Sequence, residues 1–145
     1  MSTLGQRGKV AEKAVEKVLT ACNNRVLEFA WHRLPDTRSA RSFLQAQPAD
    51  YYLAVRGRAY HLEVKETEHA YRIGRDRISQ VPVLRKFAVA GMPFAVVVFH
   101  STLRKWRCIP GAFFEGEIPP SWDLSQFPLL DSADEALLAT GWFTQ

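Results

Sequence analysis

The sequence has few cysteines, no long apolar run and no basic residue in its last part. Cys22 and Cys108 are the only thiols among 145 residues, too few for a disulfide framework or a cysteine zinc site. The longest clean apolar run, residues 94–99, has the length of a strand, which excludes a membrane-spanning helix. Residues 2–9 lack the apolar stretch of a signal peptide. We therefore expect one cytoplasmic domain with reduced thiols and no membrane partner.

Charge is divided unevenly along the chain. All 19 Lys and Arg residues precede residue 110, and with nine acids among them residues 1–110 carry a net charge of +10. The remaining segment, 111–145, has six acids, no base and many aromatic residues. A body this basic attracts polyanions, and its excess of arginine over lysine suits phosphate. The charge distribution therefore indicates a nucleic-acid partner.

Hydrophobic periodicity predicts an α/β domain with a mixed sheet flanked by helices. Asn23-Asn24 is expected to end the first helix and Gly91 the second, and Pro82 is compatible with the first turn of the second helix. Residues 67–75 are polar and look irregular. The expected elements are helices at 7–22 and from near Ser79 to 90, strands at 25–33, 93–100 and 106–110, a hairpin at 50–66, and a short helix within 131–140 capped by Asp131 or Ser132.

The predicted hairpin carries two carboxylates and a lysine in otherwise apolar strands. Arg56-Gly57-Arg58 supplies the turn, so Asp50 at the start of one strand meets Glu63 towards the end of the next. Because strand side chains alternate between faces, Glu63 and Lys65 point the same way. An unpaired carboxylate in an apolar strand is costly, which argues that these acids have a chemical role.

Two carboxylates and an ammonium group on one patch are typical of a divalent-metal nuclease. We interpret Asp50 and Glu63 as ligands of Mg²⁺, with Mn²⁺ as a substitute, and the carbonyl group of Val64 as a further oxygen donor. Lys65 would orient or deprotonate the attacking water and stabilise charge on the phosphate. The alternative is that Asp50 is a turn residue and that Glu63 and Lys65 form an exposed ion pair.

A neighbouring helix often supplies a further acid to such a site. Glu12, four residues after Gly8, is the best candidate, and Glu16 follows one turn later. His61 shares the face of Glu63 and could approach the metal, but a partly buried strand histidine is the simpler interpretation.

These residues resemble a known group of nucleases. The spacing of Asp50, Glu63 and Lys65 is similar to the PD-(D/E)xK signature, with Pro48-Ala49-Asp50 in place of Pro-Asp. The context resembles the RecU-type Holliday junction resolvases in the stretches Asp50-Tyr51-Tyr52, Gly57 to Thr67, Arg77-Ile78-Ser79-Gln80, Gly91 and 94–99. The first helix, with Gly8-Lys9-Val10-Ala11-Glu12, is similar to archaeal-type resolvases, in which a helix donates an acid.

The resemblance implies a restriction-endonuclease-like fold and a Mg²⁺-dependent endonuclease that works as a homodimer. Such enzymes nick two opposing strands of a four-way DNA junction in a bacterial or phage-infected cytoplasm. It also implies that Asp50 and Glu63 are metal ligands, that Lys65 orients the water, that Glu12 is an accessory ligand and that Gln80 lies near the site. The family's long basic stalk is short here, however, and the acidic, aromatic tail has no counterpart that we recognise.

Two groups of residues, all basic except Ser39, are predicted to contact DNA. One lies at and before the polar, proline-bearing segment 34–48, and the other directly follows the strand of Glu63. Together they comprise Arg7, Lys9, Arg33, Arg38, Ser39, Arg41, Arg72, Arg75 and Arg77. Alternatives of the same fold are a restriction- or repair-type nuclease that cuts duplex DNA and a non-catalytic DNA-binding protein.

Overall fold

The computed structural model describes residues 4–25, 28–34, 50–78 and 81–143, with the side chains of the first helix from residue 9 onwards. No helix among these residues is long and apolar enough to cross a membrane. The described elements are α1 (Leu4–Arg25), β1 (Phe29–Arg33), β2 (Tyr51–Val55), β3 (Arg58–Thr67), β4 (Arg72–Gly74), α2 (Val81–Val89), β5 (Phe94–His100), β6 (Lys105–Pro110), β7 (Ser121–Asp123) and α3 (Ala133–Leu138), with 3₁₀ turns at Arg75–Arg77 and Gly111–Phe114.

Five strands form one mixed sheet in the order β1-β2-β3-β5-β6. The pair β3 and β5 is parallel, and the other neighbours are antiparallel. Strand β5 is buried along nearly its whole length because it lies between β3 and β6 with helices and tail over both faces. The predicted mixed sheet with flanking helices is therefore confirmed.

Helix α1 covers one face of the sheet. Ala11, Val15 and Leu19 recur every four residues and are buried against β2 and β3. The prediction that Asn23-Asn24 ends this helix is wrong, because the helix continues to Arg25 and neither asparagine has the positive φ of a left-handed cap. Arg25 therefore belongs to the helix and not to the first strand.

Helix α2 covers part of the opposite face. Its residues Val81, Leu84 and Ala88 pack in a second core with side chains of β5 and β6. Pro82 lies in the first turn, as predicted, and Ser79 lies outside the described residues. Gly91 ends the helix with a φ of 88°, and its N–H donates to the carbonyl of Ala88 at 3.0 Å.

The predicted hairpin forms, and its turn sets the register of the sheet. Arg56 and Gly57 both have positive φ values, 47° and 85°, as a tight two-residue hairpin turn requires. Tyr51 consequently pairs with Leu62, and Tyr52 pairs with His61. One residue further along the same register, Asp50 comes opposite Glu63.

The C-terminal segment folds back over the domain. Strand β7 pairs with β4, so the interpretation of residues 67–75 as irregular is wrong for Arg72–Gly74. Local periodicity missed this strand because its partner lies about fifty residues away. Trp122 of β7 fills the second core, and Trp142 stacks on Tyr60 with ring centroids 4.6 Å apart. The tail aromatics thus cover the core.

Helix α3 ends the tail on the α1 side of the sheet. Ser132 is its N-cap and accepts a hydrogen bond from the N–H of Glu135 at 3.2 Å, which decides between the two predicted caps. Ala133, Ala136 and Leu137 bury against the first core. The acidic tail is therefore part of the folded domain.

The joint between β6 and the tail is tightly packed at Gly111. A Cβ atom there would lie 2.7 Å from the ring and 2.7 Å from the carbonyl oxygen of Phe94. We expect Gly111→Ala to lower the free energy of unfolding by about 1–3 kcal/mol, measured by urea denaturation. Gly116→Ala is the matched control, because a Cβ at Gly116 meets nothing within 4 Å. Equal stability of the two variants would contradict the tight joint.

Candidate active site

Asp50 is held at the mouth of the β2–β3 hairpin by contacts to both neighbouring strands. Its carboxylate Oδ2 accepts a hydrogen bond from the backbone N–H of Val64 at 3.1 Å. Its carbonyl oxygen accepts one from the N–H of Leu34, just beyond β1, at 2.7 Å. Backbone and side chain are both fixed, so the carboxylate faces Glu63 without depending on a flexible loop.

Glu63 is completely buried, and Lys65 lies beside it on the same face of β3. The lysine Nζ is 3.1 Å from Glu63 Oε1, and its side chain is 21% exposed whereas that of Glu63 is 0% exposed. The two residues therefore form a buried ion pair at the edge of the solvent, not an exposed pair. The side chain of Lys65 is therefore partly accessible from the solvent, whereas that of Glu63 is not.

The three charges strongly influence one another. Burial raises the pKa of Glu63 well above its ordinary value, the charge of Asp50 raises it further, and Lys65 opposes the shift. Burial by itself would lower the pKa of Lys65, but the charges of Glu63, Asp50 and Glu12 outweigh burial and raise it. Lys65 is therefore an ammonium group, and the two neighbouring carboxylates repel each other unless a proton or a cation separates them.

The two acids of α1 are both held by Arg33. Its Nη2 donates to Glu12 Oε2 at 2.6 Å and its Nη1 to Glu16 Oε2 at 2.9 Å. Glu16 Oε2 also accepts a hydrogen bond from the hydroxyl of Tyr51 at 2.7 Å. Burial raises the pKa of Glu12, Arg33 opposes the shift, and the charge of Asp50 adds to it. The charge of Asp50 therefore acts on Glu12, while Glu16 accepts hydrogen bonds from both Arg33 and Tyr51.

The donor set fits a hard divalent cation with few protein ligands. Among the described residues, no group of three or more His, Cys, Asp or Glu side chains is arranged to hold a metal ion. Glu12 thus does not complete a cluster with Asp50 and Glu63. Mg²⁺ is commonly held by one or two carboxylates, with water and substrate phosphates in its other positions. Asp50 and Glu63 supply that number of carboxylates. That they and the carbonyl group of Val64 bind Mg²⁺ stays a prediction.

The predicted DNA-contacting residues divide into several groups. Arg33 is engaged with the α1 acids, and Lys9 is exposed. Arg72 donates to Ser121 Oγ at 3.2 Å, and Arg75 and Arg77 follow in the next 3₁₀ turn. Their contacts with DNA stay predictions. Gln80, Arg38, Ser39, Arg41 and the side chain of Arg7 lie outside the described residues.

His61 is part of the wall beside the acidic pair. Its ring packs between those of Tyr52, at 5.2 Å between centroids, and Phe87, at 6.0 Å. Burial lowers its pKa, so the ring is neutral at physiological pH. Its Nδ1 has no hydrogen-bond partner among the described residues. These contacts agree with the simpler interpretation of a buried strand histidine.

Sequence reasoning missed a buried polar cluster behind β4. Arg107 donates to the carbonyls of Ala70 at 2.6 Å and Phe127 at 2.9 Å, and its Nη1 lies 3.0 Å from His100 Nε2. His100 Nδ1 lies 2.6 Å from the carbonyl oxygen of His69. The cluster ties the segment after β3 to the tail. No short sequence motif predicts this cluster, because the residues that form it are far apart in the chain.

Comparison with known proteins shows the fold alone. No family model matches the sequence, and no curated protein matches it. A solved structure of Hjc, a Holliday junction resolvase from the archaeal hyperthermophile Archaeoglobus fulgidus, matches with a TM-score of 0.50 and 19% identity. The match covers 88% of this chain and 98% of that one. It confirms the predicted restriction-endonuclease-like α/β fold.

The raised pKa of Glu63 gives stability a pH dependence of definite sign. The folded protein binds the proton of Glu63 more readily than the unfolded chain does, so this residue destabilises the fold at high pH and ceases to do so as pH falls through the folded pKa. We expect Glu63→Gln to raise the free energy of unfolding at pH 8 by about 1 kcal/mol or more. The gain should shrink towards pH 5 in urea denaturation.

The matched control is Glu117→Gln, because Glu117 is an exposed acid of the tail. This variant should unfold like the wild type at both pH values. If Glu63→Gln is instead the less stable protein at pH 8, Glu63 serves mainly as a stabilising partner of Lys65.

Proposed function

We propose that this chain is a Mg²⁺-dependent, structure-selective DNA endonuclease that resolves four-way junctions by paired nicks. The observation that carries the proposal is the fully buried Glu63, placed between Asp50 and Lys65 at one end of the sheet. The resolvase-type fold and the +10 charge of residues 1–110 support it.

Burial of this acid favours a catalytic role over a structural one. A single buried ion pair would satisfy Lys65, yet a second carboxylate, Asp50, lies opposite and raises the pKa of Glu63. Such an arrangement costs stability, and strongly perturbed acids beside an opening to solvent are typical of functional sites. A bound divalent cation would offset the repulsion between the two carboxylates.

The chain's own residues supply positioning and charge. Mg²⁺ held by Asp50 and Glu63 would polarise the phosphate and activate water. The N–H of Val64 keeps Asp50 in place, and the ammonium group of Lys65 donates to the attacking water or to a phosphate oxygen. Water attacks phosphorus in line, and the cut leaves a 5′-phosphate and a 3′-hydroxyl. Glu12 acts as an accessory acid at the edge of the site.

Paired nicking needs two active sites, so we propose a homodimer. The outer face of α2 offers a surface for it, because Val89 is 69% exposed and lines an open groove with Pro82, Ala90 and Ile118, beside the basic residues Arg85 and Lys86. Sedimentation should show a dimer that Val89→Glu converts to a monomer with an unchanged circular dichroism spectrum. A wild-type monomer at micromolar concentration, with a junction bound, would contradict the dimer.

The proposed function is tested by cleavage of a synthetic four-way junction with and without Mg²⁺, mapped on all four strands. We expect Asp50→Asn to bind the junction like the wild type and to cut at least roughly a hundredfold more slowly. Mg²⁺ should raise the Tm of the wild type and leave that of Asp50→Asn unchanged. Asp134→Asn, at an exposed acid of α3, is the control. Cleavage by Asp50→Asn at the wild-type rate would show that the site is assigned wrongly.

The two α1 acids can be separated by the same assay. Arg33 holds both acids, but only Glu16 is also bound by Tyr51, and only the charge of Glu12 contributes to the raised pKa of Lys65. Glu12→Gln should therefore slow cleavage and weaken the Mg²⁺ dependence more than Glu16→Gln. A larger effect of Glu16→Gln would reverse the assignment.

Competition with a duplex of equal length decides between a junction resolvase and a duplex nuclease. Metal-dependent cleavage that Lys65→Ala abolishes rules out a protein that only binds DNA.

A further inference from the structure

One half of the sheet face that carries the acids is not covered by α2. The sheet residues of the second core, Phe94, Val96, Val98 and Ile109, all belong to β5 and β6. On β1 and β2 the residues that point to this face are exposed. They include Ala30, His32, Tyr52 and Ala54. We call these four residues the open sheet face.

The open sheet face continues directly from the acidic pair. The register aligns His32 with Tyr52 and Tyr52 with His61, in a cross-strand row next to the row of Asp50 and Glu63. Tyr52 is two residues after Asp50 on the same face of β2, about 6.6 Å along the strand. Tyr52 is therefore within reach of a nucleotide that adjoins the phosphate bound at the acids on this side.

The chemistry of this face suits bases and not phosphates. A surface that follows a DNA backbone carries Arg or Lys, yet none of these four described residues is Arg or Lys. Tyr52 is 41% exposed, and His61 supports its ring in an edge-on contact at 5.2 Å. An aromatic ring held in this way is a platform on which a base can stack.

Only unstacked bases can use such a platform. In a continuous duplex the faces of the bases are covered by their neighbours, whereas at a branch point strands exchange and base faces become accessible. We infer that Tyr52, with His32 beside it, stacks on a base next to the cut phosphate and so makes the site prefer branched DNA to duplex. This inference rests on the proposed function and names the residue that selects its substrate.

Binding without cleavage tests the inference separately from the nuclease activity. Wild type, Tyr52→Ala and Tyr52→Phe are titrated, in Ca²⁺ in place of Mg²⁺, with a four-way junction and with a duplex of equal length. We expect Tyr52→Ala to weaken junction binding roughly tenfold and to leave duplex binding unchanged, so that the selectivity falls by the same factor. Tyr52→Phe, which keeps the ring, should behave like the wild type.

A fluorescent base gives a readout that a merely structural role of Tyr52 would not change. With 2-aminopurine at the branch point, the wild type and Tyr52→Phe should change its fluorescence on binding, and Tyr52→Ala should not. Leu129→Ala is the matched control: it also removes an exposed apolar side chain, next to Leu130, which bridges to β6 at the opposite edge of the sheet. It should bind and report like the wild type.

Three results would overturn the inference. The first is a Tyr52→Ala protein with wild-type selectivity, and the second is equal loss of binding to junction and duplex. The third is a change of oligomeric state in Tyr52→Ala, which would mean that a second copy of the chain covers the open sheet face. A wild type that binds junctions selectively through Tyr52 but cuts no DNA would refute the proposed nuclease and leave this inference standing.

Discussion

The pairing register of β2 with β3 is the constraint on which the site depends. The turn at Arg56 and Gly57 allows one alignment of the two strands, and that alignment brings Asp50 opposite Glu63. A slip of one residue would send Glu63 and Lys65 to the α1 face and Val64 to the acid face. Leu53 and Leu62, both fully buried, prevent such a slip because it would expose them. The apolar core thus holds the acids in place.

This arrangement buries two carboxylates, which repel each other, among apolar strands that stabilise the fold. Glu63 lies on β3 and pairs with Val96 of the parallel strand β5, which is almost entirely apolar. The ion pair with Lys65 and the hydrogen bond from Val64 to Asp50 reduce the cost of burying two carboxylates but do not remove their repulsion. Strongly perturbed carboxylates of this kind are more frequent at functional sites than elsewhere, which agrees with the role proposed for this pair.

The acidic tail contacts the segment that follows β3, the strand of Glu63. It pairs β7 with β4, and Arg107 donates to the carbonyls of Ala70 and Phe127, so the tail and the segment after β3 are joined to each other. That segment leads directly to Arg72, Arg75 and Arg77. A part of the chain with no base of its own therefore positions the arginines predicted to meet DNA.

The sequence by itself determined the hairpin, the mixed sheet and the face shared by Glu63 and Lys65, because strand alternation and glycine turns are local properties. It also marked the acids of α1 and preferred Glu12, with Glu16 as the alternative. Tertiary structure decided what depends on partners distant in the chain: the β4–β7 pair, the Arg107 cluster, the hydrogen bond from Tyr51 that distinguishes Glu16 from Glu12, and the open sheet face around Tyr52. Periodicity cannot show these features, because it reports which side of an element is apolar but not which element comes to cover it.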